Sequence, residues 1–267
     1  MRKLAFALAD GGVVAKRNLI KIRRVPELLV WTMISPIMFV VLFGYVFGSS
    51  IRIPGSTYKE YLIAGVFVQT VIFGASQTGV GMAEDMTKGI IDRFRSLPMA
   101  RSAVLVGRTG SDILSNSISI LLMSITGLIV GWRIRTPFLE ALVGFLVLLL
   151  FAYAISWIMA YVGLKVASVE VVQNATFMFI FPMTFIANTF VRSDLLPGPL
   201  KTFAEWNPVS AVAQASREAF GNTGSLPQPD AWSLDNPIAY TLIWVAIILA
   251  VFVPLSVRQY NKAASRV

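Results

Sequence analysis

Six long apolar stretches occupy residues 28–48, 61–82, 113–132, 138–162, 171–191 and 237–257, and no charged side chain stands near the middle of any of them. Each is about 20 residues or more, the length an α-helix needs to cross roughly 30 Å of hydrocarbon. Lipid offers no partner to a backbone N–H or C=O, so such a chain must satisfy its backbone internally. The expected fold is therefore all-α, a polytopic bundle of six transmembrane helices. A chain that is 56% hydrophobic and 14% charged over 267 residues fits one polytopic domain with short loops, not an anchor attached to a soluble enzyme.

The charge of +9 has an explanation that needs no nucleic acid. Lys and Arg number 16 in the arm before the first stretch, the connections after the second and fourth, and the tail; the opposite set of connections holds 7. Cytoplasmic loops carry such an excess, which places both termini in the cytoplasm of a cell-membrane protein. Residues 1–25 have no apolar core of signal-peptide type, so insertion is expected to begin at the first span. With neither cysteine nor histidine, the chain has no disulfide and is ill suited to zinc or iron.

Three connecting segments have a pattern of their own. Between positions 16 and 24 a helix would gather Lys16, Arg17, Lys21, Arg23 and Arg24 on one side, as an amphipathic interfacial helix does. From Glu84 to Pro98 a helix would put Met86, Ile90, Phe94 and Leu97 on one face and Glu84, Lys88, Asp92 and Arg95 on the other. Glu84 and Lys88 have the favourable i,i+4 order, and Leu97 before Pro98 ends the run. Three acids among the bases suit a protein-docking surface better than a lipid-binding patch. The long outer connection, 192–236, holds Asn207-Pro208 as a helix start and Gly221 as its stop, predicting an amphipathic helix over 208–220.

The missing chemistry is as informative. No Gly-Lys-Ser/Thr sequence occurs, so the chain has no P-loop with which to hydrolyse ATP. Asp112 and Glu140 are expected at span ends, leaving no mid-membrane carboxylate to carry a coupling ion. No paired acids or base-activated serine is visible in the spans, so an enzyme is not expected. The polar residues of the spans include Gln69 and Gln77 in the second, and Asn174 and Asn188 in the fifth. Such groups either join helices by hydrogen bonds or line a weakly polar path. Pro36, Pro182 and Pro254 are expected to kink their helices.

Arg17-Asn-Leu with Pro26-Glu-Leu-Leu, Ser35-Pro-Ile-Met-Phe39, Phe43-Gly-Tyr-Val-Phe-Gly48 and, above all, Ala83-Glu-Asp with Lys88-Gly-Ile-Ile-Asp-Arg-Phe-Arg-Ser-Leu-Pro-Met-Ala-Arg101 resemble the ABC-2 type exporter permeases, in particular the daunorubicin-resistance type of actinobacteria. The resemblance covers nearly the whole chain. It implies a single transmembrane domain over 1–267: a cytoplasmic arm (1–27), spans one to five (28–191), an external helical loop (192–236), span six (237–257) and a cytoplasmic tail (258–267). It implies two such permease chains, identical or homologous, and two ATPase subunits that carry ATP and Mg, with no cofactor on this chain. The loop between spans two and three becomes the coupling helix, met by the N-terminal helix at the ATPase. These roles fall on Glu84, Lys88, Ile90, Arg93, Phe94, Arg95, Pro98 and Arg101, with Arg17 and Arg23. A path between two permeases would be lined by spans two and five, hence by Gln69, Gln77, Asn174 and Asn188, for lipophilic or amphipathic drugs, antibiotics or lipids. An autonomous channel or carrier and a non-transporting membrane scaffold are the alternatives.

Overall fold

The computed structural model describes residues 27–46, 48, 51, 53–90, 103–166, 168–225, 227 and 230–263, and the secondary structure there is helical. The helices are α1 (Glu27–Val46), α2 (Tyr58–Thr87), α3 (Ala103–Val130), α4 (Phe138–Val166), α5 (Val169–Phe185), α6 (Gly198–Trp206), α7 (Pro208–Phe220), the single turn α8 (Trp232–Asp235) and α9 (Pro237–Ala263). Four of them, α2, α3, α4 and α9, are long and apolar enough to cross a membrane. The expected fifth span is shorter than its apolar stretch. The α5 helix ends at Phe185, one turn after Pro182 enters it, and Ile186 closes it by donating to the Pro182 carbonyl at 2.9 Å. Its 17 residues span about 25 Å at the ordinary helical rise. Pro36 and Pro254 lie inside α1 and α9, as expected.

The bundle is built around α2. In its apolar stretch 83% of residues are buried, against 28%, 39% and 22% in α3, α4 and α9. Thr57 starts α2 with a capping box: its hydroxyl accepts from the Glu60 N–H at 3.3 Å while the Glu60 carboxylate accepts from the Thr57 N–H at 3.5 Å. Two glycines let other backbone come close. A Cβ on Gly163 of α4 would stand 2.3 Å from the Gly79 carbonyl oxygen, and one on Gly65 would stand 2.1 Å from that of Thr189. Small residues at crossings are how membrane helices gain contact where lipid removes the hydrophobic drive.

At one end of the bundle, Phe67, Trp132, Phe145 and Phe220 form an aromatic cluster, with Trp132 edge-on to Phe220 at 5.3 Å. Beside it, Phe39 and Phe43 of α1 stack on Phe190, in the turn after α5. The opposite end is closed by Met82, Leu105, Trp157, Leu164 and Tyr260. On the outer surface of α3, Leu121, Ile125 and Ile129 are exposed at four-residue spacing, and Ile243, Ile247 and Val251 repeat the pattern on α9. Apolar stripes of that kind are satisfied by lipid tails.

Candidate coupling and substrate sites

The segment expected from sequence to serve in coupling begins as the last turn of α2. Glu84 and Lys88 pair at 3.7 Å with the spacing expected of them. The continuous helix expected from Glu84 to Pro98 is interrupted: α2 stops at Thr87, Lys88 caps it, and Gly89 takes a left-handed φ of 63°. Such a backbone reverses the chain at no steric cost only at glycine. Ile90 is again helical and half-buried. Arg93, Phe94, Arg95, Pro98 and Arg101 lie outside the described residues, as do Arg17, Arg23 and the N-terminal arm.

Immediately above this segment α2 and α3 share a polar cluster. Asp112 was expected at a span end; it is buried within α3, where it accepts a hydrogen bond from the Thr78 hydroxyl and lies 3.9 Å from the Arg108 guanidinium. Arg108 also donates to the Gln77 carbonyl at 3.0 Å and lies across Gly81, where a Cβ would collide with its guanidinium. A cation, a carboxylate, a hydroxyl and a main-chain acceptor thus fasten α2 to α3. Sequence reasoning missed this because α3 begins ten residues before the apolar stretch does.

At the other end the helix predicted over 208–220 is found with those bounds. The Asn207 side chain accepts from the Val209 N–H at 2.9 Å, Pro208 occupies the first helical turn, and Gly221 ends the helix at φ 68°. It is amphipathic as expected, but its polar stripe is covered as well: Ser210, Gln214 and Arg217 are buried, and of the helix only Glu218 is exposed. Loop residues hold its end, since Arg135 N–H donates to the Phe220 carbonyl at 2.9 Å and Trp132 Nε1 to Asn222 Oδ1 at 2.6 Å.

Arg217, counted from sequence as an outer-loop cation, is wholly buried. Its Nε donates to the Tyr61 carbonyl at 3.1 Å, its Nη2 to the Thr189 carbonyl at 2.9 Å, and its guanidinium stacks 3.5 Å from the Tyr61 ring centre. Among the described residues no carboxylate lies within ion-pairing range of it. Carbonyl dipoles and a π-face replace the missing anion. The Tyr61 hydroxyl donates to Asn188 Oδ1, and the Asn188 N–H donates to the Ser210 hydroxyl at 2.8 Å. One cation therefore joins α2, α7 and the turn that follows α5.

The four polar residues assigned to a path do not meet in one place. Asn188 is past the end of α5 and bound to Tyr61; Gln69 is buried in α2, its Oε1 without a partner. Gln77 and Asn174 are exposed on α2 and α5. A separate apolar cavity of about 550 Å³, touched by none of the four, lies between α4, α5 and α9 and reaches α2 and the start of α7.

Residues 11–220 match the ABC-2 type transporter family. The chain is 31% identical over 93% of its length, and 85% of the relative's, to a daunorubicin resistance ABC transporter permease protein of Streptomyces coeruleorubidus. It is 23% identical over 89% of its length, and 83% of the relative's, to a probable doxorubicin resistance ABC transporter permease protein of Mycobacterium tuberculosis. A putative transport permease of Cyanophora paradoxa is 21% identical over 83% of the chain and 77% of its own length. This apolar helical bundle is a membrane protein, and it belongs to the ABC-2 type transporter family.

Proposed function

We propose that this chain is the permease subunit of an ATP-driven exporter that moves lipophilic or amphipathic cargo outward across the cytoplasmic membrane. The observation that carries the reading is the 31% identity, over almost the whole chain, to a daunorubicin resistance permease. In support, the chain has no P-loop of its own, so a partner ATPase holding ATP and Mg must supply the energy. Two permease chains and two ATPase subunits complete the assembly, and residues 1–267 act as one transmembrane domain.

The six apolar stretches support six spans, and the 16-to-7 distribution of basic residues supports placing both termini in the cytoplasm. The clustering of the loops around Pro54, Arg135 and Ser225 at one end of the bundle supports the same arrangement: Ser225 N–H donates to the Pro54 carbonyl at 2.7 Å and Arg135 bonds Glu60 at 2.9 Å. Single cysteines placed by Ser265→Cys and Ser225→Cys in this cysteine-free chain test it with an impermeant thiol reagent. In intact cells the reagent should modify the second and spare the first; the reverse pattern would overturn the topology.

Coupling is assigned to Glu84, Lys88, Ile90, Arg93, Phe94, Arg95, Pro98 and Arg101, with Arg17 and Arg23 at the same interface. The path is assigned to α2 and α5 of two facing chains. Gln77 and Asn174 open directly on the surface, whereas Gln69 and Asn188 are buried inside the chain. A buried aromatic anchor contributes about 2 kcal/mol or more to an interface, so Phe94→Ala should weaken ATPase binding about thirtyfold. Co-purification of the ATPase and cargo-stimulated ATP hydrolysis should both fall while membrane insertion is unchanged. Full coupling in a normally expressed Phe94→Ala chain would remove the assignment, and failure of the wild-type chain to capture any ATPase would return the autonomous carrier or scaffold.

A further inference from the structure

The contacts that α2 makes with α4 and with α3 differ in kind. Toward α4 they are apolar and close: Met82 lies with Ala160 and Leu164, Val80 and Ala83 lie with Met159, and Gly79 meets Gly163 backbone to backbone. Toward α3 the same helix presents Gly74, Thr78 and Gly81, one face at helical spacing, to Asn116, Asp112 and Arg108. All three of these polar residues of α3 lie inside Leu105–Val130, the part long and apolar enough to cross a membrane. This polar seam is incompletely satisfied. Arg108 Nε and Asn116 Oδ1 on α3, and Gln69 Oε1 on α2, are buried with no hydrogen-bond partner among the described residues. Buried polar groups left in that condition cost stability, so the seam is the weaker of the two contacts.

The charges of the seam are placed so that it can open. An ion pair that bridges two membrane helices strands a charge when the helices separate, at high cost. Here both charges stand on one helix, Arg108 and Asp112 at i,i+4 of α3. What crosses to α2 is neutral: Arg108 Nη2 donates to the Gln77 carbonyl at 3.0 Å, and the Thr78 hydroxyl donates to Asp112. With the guanidinium held by Gln77, its Nε stays 3.9 Å from the Asp112 carboxylate, outside hydrogen-bond reach. We propose that Arg108 and Asp112 form a latch between α2 and α3. With α2 in place Arg108 holds the Gln77 carbonyl; as the two helices part it closes on Asp112, and no unpaired charge is left in the membrane. The proposal rests on the membrane location of the chain, and neither on its cargo nor on an ATPase.

The test uses the full-length, cysteine-free chain in phosphatidylcholine nanodiscs with one cysteine at a time. Asn116→Cys reports on the seam, and Ala213→Cys, wholly buried in α7, reports on global unfolding. A small neutral methanethiosulfonate should modify the first faster than the second. Asp112→Asn keeps an acceptor for Thr78 but removes the anion that receives Arg108, so it should slow modification at Asn116→Cys about tenfold. Asp112→Glu should retain the original rate. Arg108→Gln added to Asp112→Asn should recover it too, because no charge is then left to strand. Faster modification in Asp112→Asn, at the seam alone or at both reporters, would show that the pair only holds the fold shut and would overturn the latch. So would equal rates at Asn116→Cys and Ala213→Cys with Arg108 and Asp112 intact, since the seam would then open no more readily than the whole bundle.

Discussion

Replacing Arg217 by alanine is expected to cost about 3–5 kcal/mol, from two charge-assisted hydrogen bonds, a stacked ring and the volume of a buried side chain. The loss is concentrated because one guanidinium bridges positions that are 156 and 28 residues away, at Tyr61 and Thr189. Without it two buried carbonyls lose their donors, and α7 loses its tie to α2 and to the turn after α5. Lysine should recover only part of this, since one ammonium lacks the planar fork and stacks poorly on Tyr61. Methionine fills the space without the charge and should fall between alanine and the wild type. Thermal unfolding of the detergent-solubilised chain, followed as loss of the monodisperse peak, measures all three. An Arg217→Met chain as stable as the wild type would show that packing of α7 alone holds this end together.

The second large effect is expected at the α2–α4 crossing. Gly163→Val places a branched Cβ 2.3 Å from the Gly79 carbonyl oxygen and 3.0 Å from its carbon, both backbone atoms that cannot rotate away. The helices must separate, and contact between them is lost along their length. Overpacking ordinarily costs about 1–3 kcal/mol, and a clash between two backbones lies at the upper end or beyond. The folded yield in membranes and the thermal midpoint should both fall sharply. Gly110→Ala in α3 is the matched control: a Cβ there meets nothing within 4 Å, and alanine favours helix by about 1 kcal/mol. Equal loss in both variants would mean that the close approach at Gly79 is not what sets the cost.

Much of this architecture could be read from local pattern. Apolar stretches announce membrane helices because lipid imposes one length and one backbone solution on any chain that crosses it. The α7 helix was legible to the residue because Asn207, Pro208 and Gly221 act on their own neighbours. The Glu84–Lys88 pair was legible for the same reason, while the break at Gly89 was not, since a lone glycine is compatible with either helix or turn. The ABC-2 resemblance was carried by the segment from Ala83 to Arg101, and the family match bears it out.

Burial was the part that local pattern left open. Arg217 reads as a loop cation until Tyr61 and Thr189 are brought around it, and Asp112 reads as a helix-end acid until Thr78 and Arg108 enclose it. The sequence alone determined the all-helical class of fold, the α7 helix and the family, because those follow from hydropathy, capping and contiguous motif residues. Only the tertiary structure decided that α2 lies at the centre, which glycines mark crossings, and where an apolar cavity opens between α4, α5 and α9. Those depend on contacts between residues far apart in the chain, and the energy of such a contact is a property of the pair in place, not of either residue in its own segment.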